Sequence, residues 1–118
     1  MAVARTLHIQ IQPGLVESLD VVGLRRALQT LATNNPIVTD HRFGNGNDNG
    51  EYYNFDFDTP RPAELWDQIR KTVFADAAFS DAFTQGSMAI CTGQNGWDDY
   101  LLIHHWDASE DLDEVPAI

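Results

Sequence analysis

Positive charge is what this chain has least of. Seven Lys and Arg stand against 18 Asp and Glu among 118 residues, a formal net charge of −11. Such a surface repels phosphate backbones, which argues against nucleic acid as a partner, and it offers an anionic membrane nothing to hold. Cysteine is nearly absent as well. Cys91 stands alone, so no disulfide can close within the chain, and a reducing, cytoplasmic setting is the expectation. The segment from Met1 to Thr6 lacks the apolar run of a secretion signal. No stretch approaches the roughly 18 apolar residues that a membrane span requires.

What the chain does have is enough apolar material for a core: 43% hydrophobic and 10% aromatic residues point to a folded protein with one centre. We expect a single α+β domain over residues 1–106 and an acidic surface tail over residues 107–118, which carries five acids. The richest segment is Asn45 to Asp58, Asn-Gly-Asn-Asp-Asn-Gly-Glu-Tyr-Tyr-Asn-Phe-Asp-Phe-Asp. It reads as a turn feeding a strand with two unlike faces, because side chains alternate along a strand. Tyr53, Phe55 and Phe57 belong to a core. Tyr52, Asn54, Asp56 and Asp58 form a polar row that could meet a partner.

The rest of the chain falls into similar units. Thr6 to Gln12 alternates Leu7, Ile9 and Ile11 with His8 and Gln10, a half-buried strand ended by Pro13-Gly14. From Ser18 to Asn34 the period lengthens, with Val21, Leu24, Leu28 and Leu31 at helical spacing and Ser18 as N-cap. Ile37 to Phe43 reads as a second strand. A second helix opens at Thr59-Pro60 and carries Leu65, Trp66, Ile69, Val73 and Phe74; a short helix follows over Ala75 to Phe83. Asn95-Gly96 is a strong hairpin signal between Ser87–Thr92 and Trp97–Trp106.

The order matches the ferredoxin-like β-α-β-β-α-β plan with an extra C-terminal hairpin strand: an antiparallel-rich sheet with both helices on one face. In this reading the first and third strands are parallel neighbours at the centre. Their polar faces, His8, Gln10 and Gln12 beside Asn54, Asp56 and Asp58, then lie together on the uncovered side. A two-residue loop at Asn95-Gly96 sets Cys91 opposite Tyr100, Ile90 opposite Leu101 and Met88 opposite Ile103. Met88, Ile90, Leu101 and Ile103 then face the core. Ala89, Cys91, Tyr100, Leu102, His104 and Trp106 share the other face, which is too apolar for free solvation and suggests a subunit or partner contact. A two-residue loop at Asn49-Gly50 would oppose Phe43 to Asp56, so a longer loop or a glycine bulge is expected there.

Motifs with chemical meaning are few. Gly44 to Gly50 is glycine-rich but joins two strands, so no helix terminus awaits a phosphate. Asn45, Asn47, Asn49 and Asp56 follow a calcium loop only loosely, with neutral amides where carboxylates belong. His104 and His105 are adjacent on a strand and point apart, which argues against joint chelation. Asp56 and Asp58, about 6–7 Å apart by strand rise, could share acid–base chemistry, but a solvated or partner-binding face explains them as well. Cys91 reads as a buried, inert thiol. No metal and no cofactor is expected, and catalysis is not the leading reading.

In class and charge, a small acidic α+β chain with interleaved aromatic and acidic residues, the protein is similar to bacterial immunity proteins and nuclease inhibitors of the barstar kind. That likeness implies an inhibitor or immunity-type binding module for a basic protein partner, and no residue is carried over from it. Tyr52, Asn54, Asp56, Asp58, Trp97, Asp98 and Asp99 would form the contact surface. The alternative is a ferredoxin-like homodimer that binds a small molecule, with or without catalysis, between open sheet faces. His8, Gln10, Tyr100, His104 and Trp106 would line that ligand or dimer face, beside Asn54 and Asp56.

Overall fold

The computed structural model describes residues 4–47, 50–93 and 96–116. Five strands and three α-helices follow in the order β1 (Arg5–Ile11), α1 (Val21–Thr33), β2 (Asp40–Asn47), β3 (Glu51–Thr59), α2 (Pro62–Ile69), α3 (Ser80–Gly86), β4 (Ser87–Gly93) and β5 (Gly96–His104). The strands form one sheet in the order β2-β3-β1-β4-β5, and every neighbouring pair is antiparallel. This is the ferredoxin-like plan with one added edge strand. The expected parallel pairing of the first and third strands is corrected: β1 and β3 run antiparallel. A helical crossover makes β1 and β2 point the same way, and the β2–β3 hairpin then reverses β3.

Alternation builds the core. Leu7, Ile9 and Ile11 of β1 and Phe55 and Phe57 of β3 are buried with Leu24 and Leu28 of α1 and Leu65, Trp66 and Ile69 of α2. α1 starts later than Ser18. The carboxylate of Asp20 accepts from the Gly23 N–H at 2.9 Å and so supplies the cap. α2 likewise begins at Pro62, not at Pro60; β3 runs on to Thr59, whose buried hydroxyl accepts from the Arg61 N–H at 3.0 Å. A π-helical turn over Arg70–Phe74 prolongs α2 and buries Val73 and Phe74. β2 starts at Asp40, three residues after the expected Ile37, which stands in the turn before it.

The β2–β3 hairpin pairs Asn47 with Glu51 and Phe43 with Phe55. The loop is therefore longer than two residues, as expected, and Gly50 closes it at φ 144°, a conformation open to glycine. Asn49 of the calcium-like run lies outside the described residues.

The second hairpin departs from the expected register. Gly93 pairs with Gly96, Cys91 with Leu101, Ile90 with Leu102 and Ala89 with His104, with irregularities on both sides of Ile90–Cys91. Gly96 is thus paired within β5 and is not a turn residue as expected, while residues 94 and 95 lie outside the described residues. A one-residue slip exchanges faces. Ala89 and Cys91 point into the core, both essentially unexposed, and Met88 and Ile90 point to the open face. The bulge lets Leu101, Ile103 and His104 all turn towards the helices. Gly93 is required here, because a Cβ on it would overlap the Asp99 carbonyl oxygen. Beyond β5 the tail returns: Asp113 N–H donates to the Leu102 carbonyl at 2.7 Å, and the Leu102 N–H donates to the Asp113 carboxylate at 3.0 Å.

Candidate functional site

Among the described residues no helix covers the second face of the sheet, and the register aligns its side chains in rungs. His8 stands between Asp56 and Ile90, and Gln10 between Asn54 and Met88. β2 extends these rungs with Arg42 opposite Asp56 and Gly44 opposite Asn54, and β5 adds Leu102 opposite Ile90. The face is therefore split, charged over β2, β3 and β1 and apolar over β4 and β5.

The polar half is extensively paired. Arg42 donates from both terminal nitrogens to Asp58, at 3.0 and 3.1 Å, and also to Asp40 at 3.0 Å. The Thr6 hydroxyl adds a donor to Asp58 at 2.8 Å. Hydrogen bonding from Arg42, joined by Thr6, holds the Asp58 carboxyl below its ordinary value against the opposing effect of burial. Next to this cluster, His8 Nδ1 donates to Asp56 Oδ1 at 2.5 Å. The two side chains are 16% and 26% exposed, so the pair is shielded but reachable. A ring whose Nδ1–H is engaged by a carboxylate keeps, when neutral, its free lone pair on Nε2. The ring of Trp97 reaches over from β5 and sits 5.7 Å from that of His8, nearly perpendicular to it. One rung away, Asn54 Oδ1 is buried without a hydrogen-bond partner, a deficit worth about 1–3 kcal/mol.

Several expected site residues thus come together: His8, Gln10, Asn54, Asp56, Asp58 and Trp97. Tyr52 shares their strand face at the far end, its phenol lying where a Cβ on Gly46 would go. Asp98, Asp99 and Tyr100 are exposed along β5. Two residues do not join. His104 lies on the helix side, stacked on Phe83 with centroids 3.8 Å apart and with Nε2 donating to the Phe83 carbonyl at 2.7 Å; the β5 bulge is what turns it inward. Trp106 lies beyond the end of β5, against His105. Cys91 is buried in the core, and burial pushes its thiol up to about 11, which suits an inert role. Among the described residues, no three His, Cys, Asp or Glu side chains gather around a point that could hold a metal ion, and no helix is long and apolar enough to cross a membrane.

Arg42 and Thr6 are the members that sequence reading passed over. The available signal was the alternation Asp40-His41-Arg42-Phe43, which puts Asp40 and Arg42 on one face of a strand hairpinned to Asp56 and Asp58.

Burial, the dominant influence, lowers the affinity of His104 for a proton, partly offset by its bond to the Phe83 carbonyl. The unfolded chain therefore binds more protons below the ordinary histidine value of 6.5, and stability falls as pH drops through that region. Thermal melts between about pH 7 and pH 5 should show this decline, and His104→Phe should flatten it. An unchanged slope in the variant would assign the decline elsewhere. The Asp58 contribution is a separate one: it is present above the ordinary value of 3.8 and lost as pH falls through the lowered one.

No protein-family model matches this chain, and neither does any curated protein. Among solved structures it is similar to a dimeric ferredoxin-like protein of unknown function from Jannaschia sp., at 16% identity and a TM-score of 0.49, over 86% of this chain and 97% of that one.

Proposed function

We propose that two copies of this protein pair through their open sheet faces and hold a small hydroxyl-bearing ligand between them at His8 and Asp56. The observation that carries the reading is the His8–Asp56 pair, with His8 Nε2 unpartnered among the described residues, on a sheet face that no described helix covers. Two further features support it. Asn54 Oδ1 lacks a donor, so a ligand that brings one relieves a buried deficit. Met88, Ile90 and Leu102 form an apolar floor beside the polar cluster, with Trp97 and Tyr100 more than half exposed along the same edge. An apolar sheet surface left open to water, as over β4 and β5, calls for a cover, and a two-fold partner is the commonest one.

The acidic-module reading draws less support from this geometry. Arg42 engages Asp40 and Asp58, and His8 engages Asp56, which leaves Asp98 and Asp99 as the exposed carboxylates of the expected contact surface. A basic protein would meet Asp56 and Asp58 carboxylates that are already hydrogen-bonded within the face.

Sedimentation combined with NMR of the imidazole nitrogens tests the proposal. The protein should sediment as a dimer, and resorcinol, a flat ring with two hydroxyl donors, should move the His8 Nε2 resonance saturably. Asp56→Asn should weaken that binding by about tenfold, the worth of a charge-assisted bond that orients the ring. A monomer at all concentrations, or a His8 resonance unmoved by a panel of phenols and diols, would sink the reading.

A further inference from the structure

A cavity lies on the opposite side of the sheet. Five strands at about 4.8 Å spacing are roughly 24 Å wide, whereas two helices of about 10 Å cover only some 20 Å. At the β4–β5 margin α3 and the tail residue Val115 close the gap. At the β2 margin a cavity of about 470 Å³ remains between the first turns of α1 and the β2–β3 hairpin, a size within the range of small-molecule sites.

Its walls are Val21 and Val22 from α1 and Phe43, Tyr53 and Phe55 from the hairpin, and Arg25 stands at the mouth. The chemistry of this lining runs against the composition of the chain. In a protein with 18 acids and seven Lys and Arg, the cavity has one base and no acid. Among the described residues Arg25 makes no ion pair, like Arg5 and Arg26 and unlike Arg42, Arg61, Arg70 and Lys71, which each have a carboxylate partner. Of the acids near the cavity walls in sequence, Asp56 points to the opposite face of the sheet beside His8, Glu51 accepts from the Tyr53 hydroxyl at 2.7 Å, and Asp20 accepts from the Gly23 N–H. The Arg25 guanidinium lies over the Phe43 ring, 5.4 Å from its centre, a cation–π contact that leaves N–H donors for a ligand.

We propose that this cavity binds a small aromatic monocarboxylate, its ring among Val21, Phe43 and Phe55 and its carboxylate on Arg25. One base fits one carboxylate, and a planar bidentate pair with a guanidinium is the geometry a carboxylate favours. The site is independent of the open face, from which the sheet itself separates it.

Amide NMR spectra of the full chain with naphthylacetate provide the test. Saturable shifts are expected at Val22, Gly44 and Asn45. Naphthylethanol and naphthylethylamine, with the same ring and no carboxylate, should bind about tenfold more weakly or worse. Arg25→Gln should give the same loss with naphthylacetate. Val22→Glu should do so too, because it sets a like charge at the rim; Val22 is 69% exposed, so that variant keeps the fold. Equal binding of the alcohol, full affinity in Arg25→Gln, shifts confined to the His8 face, or no binding of naphthylacetate would each overturn the proposal.

Discussion

Leu102→Asp is expected to turn the proposed dimer into a folded monomer. Leu102 lies on the open face opposite Ile90, and only its backbone is engaged by Asp113, so a carboxylate there leaves the strand pairing intact. A two-fold interface contains each substitution twice. If one buried charge at such a contact costs about 2 kcal/mol, the pair costs about 4, roughly a thousandfold in the dissociation constant. Light scattering across a dilution series should show the halved mass while circular dichroism stays unchanged. A mass that does not move would remove the open face from the assembly.

Phe57→Ala should show the largest effect on stability. Phe57 is fully buried near the C-terminal end of β3, and the Phe43 ring of β2 meets it edge-on at 6.4 Å. Truncating a core phenylalanine costs about 3–5 kcal/mol through lost transfer energy and the cavity left behind. Against a total of about 5–15 kcal/mol for a domain, this is a large fraction. Denaturant melts should lose that amount, and the thermal midpoint should fall by roughly 15 °C. A loss below about 1 kcal/mol would mean that the surrounding core closes over the vacancy.

Most of the fold was legible in the alternation of two segments. Leu7, Ile9 and Ile11 against His8 and Gln10, and Phe55 and Phe57 against Asn54 and Asp56, specify both the core and the polar rung beside it. Local pattern could not give what depends on long-range geometry. The direction of β3 relative to β1 follows from the crossover and the hairpin together, not from either strand's residues. The β4–β5 register depends on where the chain bulges, and Ala89 and Cys91 are small enough to read as either face. His104 followed the bulge inward, and no spacing rule announces such a turn. The site was half legible: His8 and Asp56 were candidates on one face, but their pairing, and the clamp of Arg42 on Asp58, depend on the antiparallel register.

The returning tail has a consequence for how this sheet meets others of its kind. At Leu102 the outward backbone groups of β5 already have partners in Asp113, while β2 has a neighbour on one side only. A ribbon of molecules growing strand by strand needs two open borders on every unit, and here one is latched. Stacking through the strand borders would therefore stop at a pair joined β2 to β2. Asp113 and the chain around it act as a terminator, and removing that latch would give each molecule a second sticky border and allow growth into filaments.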